Sequence, residues 1–403
     1  MSRAARIALA LIFISVPLLL AEGMSAVYLR YLSRNPRSLA EHNKQRHRYE
    51  PYRGHELTPG WNLDGVRHDA QGFRRIEDVA QPKPDGTYRI FLMGGSAAYG
   101  LAAGAPFPDV SIRNDQTIDA KLEQRLRDAV PGKRVEVINA AVTAYWTHQH
   151  LIYLLEHLLD YDPDLIIFMD GINDHYHTQA NHNQFLSYQY SLPLRVGELN
   201  APTVSEVLRT MFEWAKQYSH AAFMLNEGID RVFGWSAAPE DPCQREVIPP
   251  DQLTPEYAAQ FERISRRTWV RTLRTVLLLL RDQGVQAIVA VQPELVFDQT
   301  RGRSSGDAKL FEIERSWRPA FYHEKKAFLR PIANRLAQET ATTLGARYVD
   351  LTDVFDDRDQ YFIDYCHLSE AGGAKVADQL APVVIEAAQR ADKETTNGHP
   401  VGP

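Results

Sequence analysis

Apolar and polar stretches alternate along most of the chain in a pattern that predicts strands and helices in turn. Five short apolar runs predict buried strands: Arg89–Met93, Arg134–Ile138, Asp164–Met169, Gln286–Val291 and Ala346–Leu351. Amphipathic segments lie between these runs. Strands that alternate with helices form parallel sheets between helical layers, so the pattern predicts a three-layer α/β/α fold around a five-stranded parallel sheet.

The helical segments are recognised by apolar residues at helical spacing and by capping residues at their ends. Ile118, Leu122 and Leu126 place one apolar face on the first of them. We predict one long helix between the cap Thr254 and Gly284, and a break at Pro331 in a later helix. Besides this long helix, the predicted helices are Asp115–Val130, which carries the apolar face, Thr147–Leu159, Phe321–Leu344, which contains Pro331, and Glu370 to about Ala388.

Periodicity is weak outside these segments. Residues 31–85 are polar and rich in proline, and they predict a linker or lead-in to a domain over residues 86–390. Residues 175–250 lack a steady period and predict an insertion or lid with a helix near 204–217. Residues 391–403 predict a flexible tail.

The N-terminus has a different character. Arg3 and Arg6 precede an apolar run from Ile7 to Ala21, and apolar character resumes as far as Leu29. Because about 20 apolar residues cross a bilayer, residues 1–30 predict an uncleaved transmembrane helix, with a cleaved signal segment as the alternative. The basic residues that follow favour a cytoplasmic domain by the positive-inside rule.

The net charge, the cysteines and the spacing of the histidines narrow the possible classes of function further. The 403 residues carry a net charge of -6, which provides no basic surface for nucleic acid. Cys243 and Cys366 can form one bridge or stay as two free thiols. Two alternating histidine pairs, 148/150 and 175/177, lack a third ligand at zinc spacing, so we predict no metal site.

Candidate chemistry follows the strand ends, which meet at one edge of a parallel sheet. Ser96 follows Gly94 and Gly95 directly after the first strand and is a candidate nucleophile; the alternative is a helix cap. Asp364 and His367 are three residues apart, so the carboxylate can fold back onto the imidazole and leave its other nitrogen as a base. A surface turn is the alternative.

Two further strand ends offer hydrogen-bond donors. Asn173 lies within Gly171–Asp174, and its amide suits a developing oxyanion, although glycine, asparagine and aspartate also favour plain turns. The segment Asn139–Val142 follows the second strand and can offer a backbone N–H to the same oxyanion. We expect Gly95, Tyr145 and His175 to line the substrate pocket.

Together these motifs resemble the SGNH, or GDSL, hydrolase superfamily over roughly residues 68–390, and the N-terminal segment resembles that of bacterial, membrane-tethered members. The motifs are Gln71–Arg74, Gly94–Ser96, Asn139–Thr143, Gly171–Asp174 and Asp364–Ser369. The resemblance implies a flavodoxin-like α/β/α fold and ester hydrolysis without a cofactor, outside the cytoplasm. An α/β-hydrolase is less similar, because Ala98 stands where its nucleophile elbow has glycine.

Carried over by position, the resemblance implies Ser96 as nucleophile, His367 as base and Asp364 as the acid that orients it. The implied oxyanion hole consists of the Ser96 N–H, the Ala141 N–H and Asn173. The chain departs from the family at Gly95, where aspartate is usual, and at Ala141, where glycine is usual. If that turn requires positive φ, alanine costs on the order of 1 kcal/mol.

The resulting hypothesis is a membrane-anchored serine esterase that hydrolyses an acyl ester, most simply an acetyl ester, on a cell-envelope glycan. An O-acyltransferase that passes the same acyl group from Ser96 to a polysaccharide is the second hypothesis. A catalytically inactive binding or scaffold domain is the third, and Ala141 is its only support.

Overall fold

A computed structural model describes residues 3–32, 46–50, 52–101, 103, 106–108, 110–130, 132–174, 215, 219–233, 247–296 and 302–396. The chain divides into two compact units. One comprises Met1–Glu50 and Tyr188–Glu240, and the other comprises Pro51–Ser187 and Asp241–Pro403. The second unit contains the predicted sheet and every predicted catalytic residue.

The strands of the second unit form the predicted five-stranded sheet. Four short strands precede it in the chain: β1 (His47–Glu50), β2 (Gly54–Leu57), β3 (Asn62–Leu63) and β4 (Val66–Arg67). The sheet strands are β5 (Thr87–Gly94), β6 (Arg134–Asn139), β7 (Leu165–Asp170), β8 (Gln286–Val291) and β9 (Arg347–Asp350). All eight residues of β5 are buried, as expected for a central strand covered on both faces.

The sheet is parallel throughout, with the order β6-β5-β7-β8-β9. Leu92 of β5 lies opposite Asn139 on one side and Ile167 on the other. The chain reverses its direction across the sheet after β6, so the carboxyl ends of β5 and β7 flank the point where the strand order switches. In open α/β sheets, this is where ligand sites form.

The helices complete the element order. They are α1 (Arg3–Val27), α2 (Ser96–Tyr99), α3 (Ile118–Leu126), α4 (Thr147–Glu156), α5 (His220–Phe233), α6 (Pro255–Arg267), α7 (Trp269–Asp282), α8 (Ser305–Trp317), α9 (Tyr322–Thr343) and α10 (Glu370–Thr396). Short 3-10 turns occur at Asn114–Gln116, Leu158–Tyr161 and Pro250–Gln252, and a π-helical turn at Tyr28–Leu32.

Two helical layers cover the sheet. Val289 and Val291 of β8 pack with Leu273 of α7 and Leu329 of α9 on one face. Ile288, whose side chain points to the opposite face, belongs to the core that includes α3 and α10. The predicted α/β fold with a five-stranded parallel sheet is therefore confirmed for the part of the chain that the structure describes.

Several predicted helix boundaries were wrong. The long helix from Thr254 to Gly284 is two helices, because Thr268 has φ −110° and ψ −108° and separates α6 from α7. The break at Pro331 is absent: α9 continues through it, with Leu329 and Ala333 buried on either side. Packing against the sheet outweighs the loss of one backbone hydrogen bond.

Three regions have more structure than the sequence predicted. Helix α8 was missed although Ser304 caps it by accepting the Asp307 N–H at 3.1 Å. Helix α10 continues to Thr396 and so includes residues assigned to the tail. The lead-in contributes three of the four short strands to the second unit, and Phe73 and Arg74 are buried there.

The other unit contains α1 and α5. The Glu22 carboxylate of α1 accepts the N–H groups of His220 at 2.8 Å and Ala221 at 3.1 Å, and so caps the first turn of α5. Among the described residues, no helix combines the length and apolar character needed to cross a membrane, so the predicted transmembrane helix is not supported. The predicted helix near 204–217 lies almost wholly outside the described residues.

Candidate active site

The turn after β5 requires both of its glycines. A Cβ at Gly94 would lie 2.3 Å from the carbonyl oxygen of Met169, and a Cβ at Gly95 would lie 2.8 Å from Nδ2 of Asn173. Real Cβ atoms do not approach other atoms so closely. The two glycines therefore allow the loop after β7 to lie directly against the segment that carries Ser96.

Ser96 is the first residue of α2, and its side chain is half-buried. The alternative role as a helix cap does not apply, because Gly95 occupies the cap position and makes no side-chain bond. Within the described residues, no group hydrogen-bonds to the Ser96 hydroxyl or accepts its N–H. Both groups are available to a substrate.

Asp364 and His367 form the contact predicted from their spacing. Oδ2 of Asp364 lies 2.5 Å from Nδ1 of His367, while Oδ1 accepts the backbone N–H groups of Cys366 at 2.9 Å and His367 at 2.8 Å. The carboxylate thus closes a turn and holds the imidazole at the same time. Nε2 of His367 is buried and has no hydrogen-bond partner among the described residues.

The electrostatics favour an ionised Asp364. Burial alone works to raise its pKa, but the adjacent imidazole and the two N–H donors hold the pKa below its usual value. The neighbouring Cys366 is buried, and burial together with Asp364 raises the pKa of its thiol well above the usual range. Cys366 is therefore a protonated core residue and not a competing nucleophile.

The turn is held in place from two sides. Leu295, shortly after β8, donates its N–H to the Tyr365 carbonyl at 3.0 Å. Asp307 near the start of α8 accepts the N–H groups of Tyr361 and Phe362, both at 3.1 Å. These contacts position the Asp364–His367 turn at the carboxyl edge of the sheet, where Ser96 and Asn173 also follow their strands.

Asn173 lies beside the nucleophile turn as predicted. Its Nδ2 donates to the Tyr145 carbonyl at 2.8 Å and is the atom nearest to Gly95. An amide NH₂ carries two hydrogens, so this bond leaves one for another acceptor. Asp174 holds the loop, as predicted, because it accepts the Thr147 hydroxyl at 2.8 Å.

The N–H predicted as the third oxyanion donor, that of Ala141, is engaged within the protein. The Ala141 N–H donates to the side-chain oxygen of Asn139 at 3.1 Å and is therefore occupied. Ala141 is also not among the residues with positive φ; Ala144 is, at φ 64°, in the turn closed by Tyr145 N–H and Val142 O. No acceptor for the Ala144 N–H lies among the described residues.

The three residues predicted to line the substrate pocket differ in outcome. Gly95 contacts Asn173 and lies at the site. The Tyr145 ring is fully buried, and its hydroxyl bonds to Arg53 and the His55 carbonyl, so its side chain does not line a cleft. His175 and His177 lie outside the described residues, so the predictions about them stay open. Cys243 also lies outside them, but Cys366 is a free thiol in the structure, so the predicted alternative of a bridge between the two is not formed there.

Arg74 supports the site and was not assigned a role from the sequence. Its buried guanidinium donates to the carbonyls of Tyr99 and Gly100, at the end of α2, and to that of Ile112. Its backbone N–H donates to the Asn139 carbonyl at 3.0 Å. The sequence analysis includes Gln71–Arg74 only as part of the family resemblance. The one local signal for a supporting role is that Arg74 is an arginine in an otherwise irregular segment.

Among the described residues, one group of three potential metal ligands lies close together, and it consists of Asp364, Cys366 and His367. Metal binding requires a thiolate, which the raised pKa of Cys366 disfavours. The other candidate ligands are engaged: His150 pairs with Asp170, and the His148 ring packs against Trp146 with centroids 4.5 Å apart.

No protein-family profile and no curated protein matches the chain. The chain is similar to solved structures, among them an acetyl xylan esterase with 13% identity, covering 73% of this chain and 99% of the other at a TM-score of 0.37. A putative GDSL-like lipase from Parabacteroides merdae has 11% identity, with 78% and 99% covered and a TM-score of 0.37. A catalytic mutant of an acetylxylan esterase from Geobacillus stearothermophilus has 13% identity, with 74% and 94% covered and a TM-score of 0.38.

These likenesses concern the fold, and we base the function on the geometry of the site. An ionised carboxylate holds an imidazole whose outer nitrogen has no partner among the described residues, and a serine and an amide donor follow neighbouring strands at the same sheet edge.

Proposed function

We propose that the protein is a serine ester hydrolase in which Ser96 is the nucleophile, His367 the general base and Asp364 the acid that orients it. The observation that carries this proposal is the Asp364–His367 pair, with a 2.5 Å contact on one imidazole nitrogen and an unoccupied buried nitrogen on the other. This is the arrangement that a base needs to hold the correct tautomer.

In the proposed reaction, Ser96 Oγ attacks the acyl carbon while its proton moves to Nε2 of His367. The imidazolium then protonates the departing alcohol, which leaves an acyl-serine. Water, deprotonated by His367, attacks this ester and releases the carboxylic acid and free Ser96. The reaction requires Ser96 Oγ and His367 Nε2 to come within hydrogen-bond distance in the substrate complex; such contacts commonly tighten on binding.

We assign the oxyanion to the N–H of Ser96, the free amide hydrogen of Asn173 and the N–H of Ala144, which replaces Ala141. Ala144 adjoins Tyr145, whose carbonyl already binds Asn173. The left-handed backbone at Ala144 is costly for a residue with a side chain, and such strain persists where the local geometry serves a purpose. The change of donor also removes the one feature that favoured an inactive scaffold.

A fluorophosphonate probe tests the nucleophile directly. We expect the probe to label the wild-type protein on Ser96 and to leave Ser96→Ala unlabelled, with p-nitrophenyl acetate hydrolysis lost in parallel. Cys366→Ser serves as the control and should keep both properties, because the thiol is protonated and buried. Equal labelling of wild type and Ser96→Ala would reject the assignment.

We propose an acetylated glycan as the substrate. The reasons are the resemblance in the motifs and the esterases of acetylated xylans to which the fold is similar. Product analysis with and without an acceptor glycan separates hydrolysis from acyl transfer, since both pass through the same acyl-serine. Free acetate as the sole product in the presence of acceptor would exclude a transferase acting on that acceptor.

The location outside the cytoplasm is also a proposal that rests on the resemblance. Fusing residues 1–60 to a reporter enzyme that is active only outside the cytoplasm tests it. An inactive but stably produced fusion would place the domain inside.

A further inference from the structure

Residues 170–174, which lead from the end of β7 into a helical turn at 172–174, form the segment that we call the Asn173 loop. The start of α4 and the residues just before it contact this loop at three points. Just before the helix, the Tyr145 carbonyl accepts Asn173 Nδ2 at 2.8 Å. Thr147 donates its N–H to Asp174 at 3.1 Å and its hydroxyl at 2.8 Å. His150, one turn further, places Nδ1 at 2.7 Å from Asp170 Oδ2. The helix therefore holds the loop at its beginning, near its middle and at its end.

These contacts are shielded from water. The side chain of His150 is fully buried, that of Asp170 is 12% exposed, and Asp174 is buried. Breaking contacts between buried polar groups is costly, because each group is then left without a partner. The N–H and hydroxyl of Thr147 supply such partners to Asp174. Contacts of this kind restrict the loop to one conformation.

The charges around His150 come from β7 and the loop after it. Burial works to lower the pKa of its imidazole, but the carboxyl groups of Asp170 and Asp174 and the nearby Gly94 backbone outweigh burial and raise it. The aromatic rings packed on His150 are those of Tyr145 and Phe168, with centroids 5.7 and 6.4 Å away. The His150 imidazole thus faces two carboxyl groups of the same loop, the nearer of them 2.7 Å away.

We infer that Thr147 and His150 are positioning residues that orient the Asn173 amide towards the oxyanion. The inference rests on the proposed function and extends it to residues that do not touch the substrate. Because Tyr145 takes one amide hydrogen, the direction of the second depends on where the loop backbone lies. That backbone is set by Asp170 and Asp174 through His150 and Thr147.

A double-mutant cycle tests this coupling. Loss of the Asn173 donor in Asn173→Ala should lower kcat by about 10²–10³-fold. Thr147→Val, which removes the hydroxyl and keeps the shape, should lower kcat by about 10-fold with little change in KM, a fraction of the loss of the donor itself. If Thr147 acts through Asn173, adding Thr147→Val to Asn173→Ala should cost almost nothing more. Full multiplication of the two losses would overturn the inference and leave the proposed function standing.

Matched variants separate positioning from general stability. Thr147→Ser keeps the hydroxyl and should restore kcat to within about twofold. Thr254→Val removes a threonine hydroxyl from the first turn of α6, where it accepts the Tyr257 N–H at 3.3 Å, and should leave kcat unchanged. His150→Gln should resemble Thr147→Val. Rates are compared per active site, counted by fluorophosphonate labelling, so that unfolded protein does not contribute.

Hydrogen exchange supplies a readout that does not depend on activity. Peptides covering residues 170–174 should exchange at least severalfold faster in Thr147→Val and His150→Gln than in the wild type or Thr254→Val. Unchanged exchange would overturn the inference whatever the catalytic result. Faster exchange together with an Asn173→Ala variant of normal kcat would instead reject the oxyanion role of Asn173 and retain the contact between helix and loop.

Discussion

The base side and the oxyanion side of the site are built in different ways. Asp364 and His367 meet within a four-residue turn, and the same carboxylate accepts two N–H groups of that turn. The proposed oxyanion side consists of Ser96, Ala144 and Asn173, which follow β5, β6 and β7 respectively. The first is a local structure that a short motif encodes. The second exists only when the sheet aligns its strands.

This difference makes the two sides unequally sensitive to substitution. On the base side, each change acts on a contact between near neighbours. On the oxyanion side, a change in one segment displaces a group in another, as the close approach of Gly95 to Asn173 illustrates. Substitutions on both sides can therefore test whether the comparison is sound.

The largest effect is expected on the base side. Asp364→Asn should lower kcat by about 10³–10⁴-fold, because an amide no longer holds the imidazole in the tautomer that accepts a proton on Nε2. Steady-state kinetics with p-nitrophenyl acetate measure it. Asp356→Asn, in the same region but bonded to Tyr361 and Arg358, is the control and should retain activity. A loss of less than tenfold in Asp364→Asn would mean that His367 is oriented by other groups.

Gly95→Ala should lower kcat by about 10–100-fold through a group in a different segment. The new Cβ would lie 2.8 Å from Asn173 Nδ2 and push away a donor whose complete loss costs about 10²–10³-fold. The fluorophosphonate labelling rate should fall with kcat. Gly86→Ala, at a glycine with open space around it but positive φ, controls for loss of stability alone. Normal activity in Gly95→Ala would show that Asn173 can move aside without any loss of kcat.

The buried carboxyl group of Asp174 should make stability depend on pH. Burial and the charge of Asp170 raise the pKa of Asp174 to about 7, so the folded protein binds its proton more tightly than the unfolded chain does. The free energy of unfolding should therefore fall as the pH rises from about 4 to about 7. Asp174→Asn removes this titration and should flatten the decline by about 4 kcal/mol.

Urea unfolding at several pH values measures this slope. The exposed Asp128→Asn is the control and should reproduce the wild-type slope. If Asp174→Asn and wild type lose stability in parallel, Asp174 does not hold its proton in the folded state.

The smallest effect concerns the Ala144 turn. Ala144→Gly should raise the free energy of unfolding by about 1 kcal/mol, because glycine adopts φ 64° without the steric cost that alanine pays. Activity should be preserved, since the backbone N–H remains. Ala141→Gly is the matched variant at the position first predicted, and because its φ is not positive it should destabilise or leave stability unchanged. A stabilised Ala141→Gly would indicate that Ala141, and not Ala144, has the left-handed backbone conformation.

Strand positions were predicted well because buried parallel strands are short, continuous apolar runs. Gln286–Val291 was predicted with its observed bounds. Helix boundaries were predicted less well, since Thr268 ends α6 without a proline or glycine and Pro331 lies in an unbroken α9. In both cases, packing against neighbouring elements decided the backbone conformation, and single-residue preferences did not.

The sequence by itself determined the strand pattern, the Asp364–His367 contact and the glycines before Ser96, because each depends on near neighbours or on a repeating apolar period. Only the tertiary structure decided that Ala141 gives its N–H to Asn139, that Tyr145 points into the core and that α4 holds the Asn173 loop. These contacts join residues far apart in the chain, and their geometry follows from how the sheet and its helices pack, which no local pattern records.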